Sequence, residues 1–209
     1  MSTIYIARHG ETTWNAIGRY QGRLETPLSP LGQEQARALA AALAGKGIKR
    51  LISSPLSRCV QTVVPLSAEI GIPIETDPLL LEIAHGTWEG RYREEIARSE
   101  PVLYWEWREH PERVRFANGE SLEDVLERWK AFVATFDASA DAVLMTHDVV
   151  VRLAILERTG RGMEHLRQVR AFNAAYAEFH VADSQWTLVH GCVADHLAGL
   201  ASDHERQAL

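Results

Sequence analysis

Four short segments carry residue types that can do chemistry together. They are Ala7-Arg8-His9-Gly10-Glu11-Thr12 with Trp14 and Asn15, Ser54-Pro55-Leu56-Ser57-Arg58, Leu81-Glu82 ahead of Gly86-Thr87-Trp88-Glu89-Gly90, and Thr146-His147-Asp148. Taken singly, an Arg-His pair is more simply a piece of solvated surface. Two guanidiniums, two imidazoles and a carboxylic acid gathered in one crevice instead describe a phosphate-ester site. Guanidinium forks neutralise and orient a phosphoryl group through bidentate hydrogen bonds. The same positive charge opposes protonation of His9, and a neutral imidazole can attack phosphorus to form a covalent intermediate. A carboxyl kept protonated in such a pocket can give the departing alkoxide its proton. Because the guanidiniums supply the charge stabilisation, this reading calls for no metal and no cofactor.

The elements between these segments decide whether they meet. Residues 3–8 read as a short strand. A helix follows, capped by Ser29 with Pro30 in its first turn and Ala36, Leu39, Ala40 and Leu43 on one face, and stopped by Gly45 and Gly47. Residues 51–53 predict a second strand, 56–70 a helix that contains Pro65, and 72–76 a third strand. Leu122, Val125, Leu126, Trp129, Phe132, Val133 and Phe136 keep helical spacing behind Ser121 and Asp124. The charge-free run 142–145 predicts a strand buried on both faces, 149–156 a helix, and 174–181 and 186–189 two late strands. This alternation predicts an α/β fold, a three-layer α/β/α sandwich with a mostly parallel mixed sheet. Each of the four segments follows a different predicted strand or its exit loop, so a parallel sheet brings them to one edge.

At 209 residues, with 46% hydrophobic and 24% charged residues and no linker-like tract, the chain is expected to form one domain over 1–209. The longest apolar run, 38–44, is far short of the roughly 20 residues of a membrane helix. The first residues carry no basic leader before an apolar stretch, and the two cysteines, Cys59 and Cys192, fit a reducing compartment, so the expected location is cytoplasmic. The net charge of −6 argues against a nucleic-acid partner, and Arg91, Arg93, Arg98, Arg108, Arg113 and Arg115 are interleaved with Glu residues that cancel their field. The expected partner is a small phosphorylated metabolite, with no membrane; a homodimer is left open.

The segments also resemble a known family. Arg8-His9-Gly10-Glu11-Thr12 with Asn15, Gln21-Gly22, Pro27-Leu28-Ser29-Pro30-Leu31-Gly32, Ser54-Pro55 to Arg58, Glu82 to Gly90 and Thr146-His147 are similar, in order, to the histidine phosphatase superfamily, which includes cofactor-dependent phosphoglycerate mutases. The resemblance implies that His9 is the phosphorylated nucleophile. It implies that Arg8, Arg58 and His147, with Asn15, Gln21 and Gly22, hold the phosphoryl group, and that Glu82 is the acid. A helical insertion at about 91–120 is implied by the same resemblance. Asp148 stands where many members carry Gly, while the acid phosphatase and phytase branch uses a His-Asp pair as proton donor; Thr12 speaks against that branch. Gly18 to Gly22, Glu82-Ile83 with His85-Gly86 and Trp88, and Gly119 to Leu122 look most like metal-independent phosphoserine phosphatases. On that resemblance His85 would face the substrate's carboxylate, the alternative being simple loop packing. Other phosphatase substrates (α-ribazole phosphate, a sugar phosphate, a broad set), a phosphoglycerate mutase and a catalytically silent phosphate-binding module are the competing readings.

Among other residues, Cys192 and His196 have half of a metal-site spacing but no second pair. His196-Leu197 resembles a family pair that folds back toward the site. Trp105 and Trp107 are expected to pack the insertion onto the body or line a lid. His180 and His190 are expected on the late strands, facing solvent or hydrogen-bonded, and the tail 202–209 to be polar and mobile unless it closes over the pocket.

Overall fold

The computed structural model describes residues 1–202 and Gln207. Strands β1 (Ser2–Arg8), β2 (Arg50–Ser53), β3 (Ile74–Thr76), β4 (Ala142–Thr146), β5 (Tyr176–Ala182) and β6 (Gln185–Val193) form one sheet in the order β3-β2-β4-β1-β5-β6. The first four are mutually parallel, and β5 and β6 run antiparallel along one side. The sheet is thus mixed, with its parallel part where the chemistry-bearing loops emerge.

Side chains alternate across each strand. Ile4 and Ile6 of β1 and Ala142 and Leu144 of β4 face one core; Tyr5, Ala7, Val143 and Met145 face the other. Helices α1 (Pro30–Leu43) and α2 (Ser57–Ile70) cover the second face through Leu39, Leu43, Cys59, Val63 and Leu66. The first face is covered by α5 (Leu122–Thr135) and α6 (Asp148–Arg158) with the insertion, which holds α3 (Arg93–Ser99) and α4 (Pro101–Glu109).

Local chemistry sets the ends. Ser29 accepts from the Gly32 N–H with Pro30 in the first turn of α1, and Ser121 and Asp124 close a reciprocal capping box on α5. Helix α2 runs through Pro65: its buried face of Cys59, Thr62, Val63 and Leu66 outweighs the lost hydrogen bond, and the carbonyl left without a donor belongs to the exposed Gln61. The predicted strand 72–76 shortens to Ile74–Thr76, and the last strand lengthens to Gln185–Val193, because pairing with β5 carries it past the apolar run that marked it in the sequence.

Candidate active site

The carboxyl ends of the parallel strands point the way. The His9 N–H donates to the Thr146 carbonyl at 3.0 Å, joining the exits of β1 and β4. The His9 carbonyl accepts from the Ala174 N–H and from Asn173 Nδ2, and the Gly10 N–H donates to Thr62 Oγ1 at 2.9 Å on α2. Three segments therefore fix the backbone of His9 and Gly10. Its ring is 3% exposed, and Nδ1–H donates to the Gly10 carbonyl at 2.7 Å, which leaves Nε2 as the lone-pair nitrogen. Burial, then the Arg58 and Arg8 charges, hold His9 far below the usual imidazole range.

Arg8 and Arg58 are each about 1% exposed. Arg8 donates to Asp148 at 3.1 Å, to the Ala171 carbonyl at 2.7 Å and to Gln207 Oε1 at 2.7 Å; Arg58 donates to the Leu24 and Gly22 carbonyls. The Nε–H of both is buried with no partner among the described residues. The His147 ring lies 5.2 Å from that of His9 and pairs with Ser54 Oγ at 2.8 Å, with the Cys59 thiol beside it. Burial and Arg58 keep His147 neutral as well. Asn15 Oδ1 accepts from the Thr12 N–H, and Gln21 Oε1 is met by the Thr12 and Thr26 hydroxyls. Arg8, His9, Asn15, Gln21, Gly22, Arg58, Glu82, His85, Trp107 and Val149 wall a cavity of about 20 Å³.

Glu82 enters this cavity from the loop after β3. Arg128 Nη1 donates to the Leu79 carbonyl, Arg23 Nε to the Glu82 carbonyl, and Glu120 accepts the Ala84 N–H, so three side chains brace the loop. Burial and then the Asp148 charge push the Glu82 carboxyl up to about 7, against the pull of the Ile83 N–H and the two arginines. Asp148 is the opposite case. Burial would raise it, but Arg152 at 2.8 Å and Arg8 bring it below the ordinary aspartate range. It is an ionised counter-charge to two guanidiniums and has no proton to give near neutrality.

His85 both packs and lines the cavity. Its ring meets the edges of Tyr20, Phe116 and Trp107 at 5.0, 4.8 and 5.8 Å, yet both ring nitrogens are buried without a partner among the described residues. Burial, with Arg167 and Arg58, pushes it down to about 3, so it can offer one N–H to a ligand but not an ion pair. Trp107 is buried in the cavity wall; Trp105, expected to pack onto the body or line a lid, is 56% exposed against His110. His196 Nε2–H donates to the Ala174 carbonyl at 2.9 Å, so that segment does fold back beneath His9. His180 lies half-buried near Glu178, and His190 is exposed. Of the tail, Ser202 meets Gln35 and Gln207 meets Arg8 and Asn173, while 203–206 and 208–209 lie outside the described residues. Among the described residues no cluster of three His, Cys, Asp or Glu could hold a metal ion, and no helix is long and apolar enough to cross a membrane.

Sequence reasoning missed Ser54, Thr62 and Asn173 as partners of the imidazole-bearing segments, and Glu120, Arg128 and Arg152 as braces. Ser54 and Glu120 lie inside quoted motifs and Arg152 stands four residues after Asp148 on one helix, so these three carried a signal; Thr62, Asn173 and Arg128 are set by long-range packing.

Comparison with known proteins gives a consistent picture. Residues 4–193 match the family described as Histidine phosphatase superfamily (branch 1). The chain is 30% identical over 200 residues to Phosphoserine phosphatase 1 of Hydrogenobacter thermophilus, covering 94% of this chain and 95% of that protein. Among solved structures, Bacillus stearothermophilus YhfR aligns with a TM-score of 0.87 at 26% identity, over 94% of this chain and 100% of its own. A mycobacterial glucosyl-3-phosphoglycerate phosphatase complexed with VO3 aligns at 0.83 and 28%, over 91% and 98%.

Proposed function

Because the chain belongs to branch 1 of the histidine phosphatase superfamily and is a phosphatase, we propose that it hydrolyses small phosphomonoesters bearing a carboxylate, of which L-phosphoserine is the type, through a phosphohistidine intermediate. The observation that carries this is the neutral His9, its Nε2 uncommitted among the described residues, buried between two arginines and sharing a cavity with a carboxyl poised near neutrality. The Nε2 lone pair attacks phosphorus as the ester P–O bond breaks, and the Glu82 proton passes to the leaving alkoxide. Glu82, now a carboxylate, takes a proton from water; the water oxygen bonds phosphorus, the P–N bond breaks, and His9 returns neutral with inorganic phosphate. Arg8 and Arg58 meet the equatorial oxygens, with His147, Asn15, Gln21 and Gly22 around them. Asn15 and Gln21 have their carbonyl oxygens engaged by threonines, so their amide N–H groups are the ends available to an anion. A metal is not needed for this charge balance.

The similarity to Phosphoserine phosphatase 1 supports the amino-acid ester, and the unpaired His85 N–H offers a hydrogen bond to its carboxylate. Quenching a reaction with radiolabelled L-phosphoserine traps an acid-labile label that vanishes in His9→Ala. L-phosphoserine is turned over faster than 3-phosphoglycerate, with or without chelator. Absence of label, a flat substrate profile or loss of activity in chelator would remove the reading.

A further inference from the structure

The catalytic cavity is too small for a whole ester, and a much larger one of about 670 Å³ lies against it. The two share walls. Arg8 faces the small cavity and bonds Ala171 and Gln207, which line the large one. Trp107 lines the small cavity, and Arg167, which donates to its carbonyl and stands 5.3 Å over its ring, lines the large one. In a chain of net charge −6, the large cavity is walled by five arginines and one acid, Glu94, which pairs with Arg93. Arg152 is answered by Asp148. The side chains of Arg108 and Arg170 are exposed and make no hydrogen bond or ion pair among the described residues.

At the junction, buried donors are left over. Arg167 Nε and the Tyr20 hydroxyl are each buried without a partner among the described residues, and Tyr20 is fully buried. The Tyr20 hydroxyl lies in the field of Arg167, Arg108 and Arg93. Buried donors without acceptors are costly unless a ligand completes them, and convergent cations select an anion. The sequence hid this grouping: Arg108 stands among glutamates of the insertion, and its companions Arg167 and Arg170 come from the segment before β5.

We propose that this cavity is a second anion subsite, which takes the far end of extended phosphomonoesters carrying a carboxylate or a second phosphate away from the scissile ester. The inference rests on the phosphatase reading and enlarges its substrate class beyond phosphoserine. Arg108 and Arg167 hold the remote anion at the mouth while the ester enters past Trp107. Because the contact is present before and during phosphoryl transfer, it acts on KM more than on kcat.

The test uses matched ester pairs: 6-phosphogluconate against glucitol 6-phosphate for a carboxylate, and fructose 1,6-bisphosphate against fructose 6-phosphate for a phosphate, with p-nitrophenyl phosphate as the uncharged-tail reporter. The wild-type enzyme favours the charged member of at least one pair by about tenfold or more in kcat/KM, as a hydrogen bond between charged groups predicts. The pair that responds identifies the anion. Arg108→Gln and Arg170→Gln, both at exposed positions, shrink that preference through KM while p-nitrophenyl phosphate turnover stays within about twofold. No preference in either pair, or equal losses on every ester, overturns the subsite while hydrolysis of p-nitrophenyl phosphate keeps the phosphatase reading intact. Failure to hydrolyse any ester overturns both.

Discussion

Replacing Glu82 by Gln removes a proton site whose folded and unfolded affinities differ. The carboxyl stands at about 7 in the fold against an ordinary 4.5. A difference of about 2.5 units at 1.36 kcal/mol each corresponds to about 3 kcal/mol, an upper figure because a buried site relaxes around its charge. The folded state binds this proton more tightly than the unfolded chain does. The group's stabilisation is therefore complete below pH 4.5 and is lost as pH rises through 7. Glu82→Gln holds the neutral form at all pH values, so relative to wild type it gains stability across that window and levels off above it. Urea unfolding of both proteins at pH 5, 6, 7 and 8 measures the gain, and a difference of about 3 kcal/mol moves the melting temperature by roughly 6–12 °C for a chain of this size. Any fixed effect of the amide cancels, since only the change with pH is read. The same variant loses about 10²–10⁴-fold in turnover of alkyl esters, whose leaving group needs a proton, and far less on p-nitrophenyl phosphate. A stability difference that does not vary with pH, or equal losses on both esters, would refute the assignment of a protonated Glu82 as the acid.

Two further outcomes follow from the geometry. Asp148→Asn strips the counter-charge from the buried Arg8 and the partly buried Arg152, and destabilises the fold by about 3–5 kcal/mol in urea unfolding. It raises KM and, with a negative charge gone from beside Glu82, lets that carboxyl ionise at lower pH. Alkyl-ester turnover therefore falls off at lower pH, while the ratio of alkyl-ester to p-nitrophenyl phosphate turnover at the acid end of the profile is unchanged; a collapse of that ratio at every pH would make Asp148 the acid. Gly86→Ala places a Cβ 2.0 Å from the Ala117 carbonyl at φ +54°, a clash with backbone that side-chain rotation cannot relieve, and thermal melting shows a loss of at least about 2 kcal/mol, with activity falling because the same loop carries Glu82.

The strand-and-helix order and the four segments were legible because each depends on local signals. Ser29, Pro30 and the 3–4 spacing mark α1, the uncharged run marks β4, and the parallel sheet converts sequence order into spatial convergence. What stayed hidden is long-range. Nothing in the stretch before β5 announces that Asn173 holds the His9 carbonyl, and the i,i+4 spacing of Asp148 and Arg152 does not announce that Asp148 also meets Arg8. The arginine-rich insertion read as neutral because its glutamates are neighbours in the chain; in the fold Arg108 faces arginines from residues 167–170 instead. His85 showed the limit of choosing between packing and function, since its ring does the first and its nitrogens are free for the second.

The two chemical roles in the cavity have one physical origin. In water an imidazole is half protonated near pH 6.5 and a carboxylic acid is ionised, the wrong states for a nucleophile and a proton donor. Burial penalises whichever form is charged, so the same environment lowers His9 and raises Glu82. The arginines then act unequally: they add to the effect on His9 but oppose it on Glu82. Asp148 separates the two outcomes. It neutralises part of Arg8 and adds negative charge beside Glu82, which keeps the carboxyl protonated despite two nearby guanidiniums. The buried, unpaired Nε–H groups of Arg8 and Arg58 leave donors for which an incoming phosphoryl oxygen is the natural acceptor. A fold that removed this tension by exposing the cavity would be more stable but would return His9 and Glu82 to the protonation states in which neither could act.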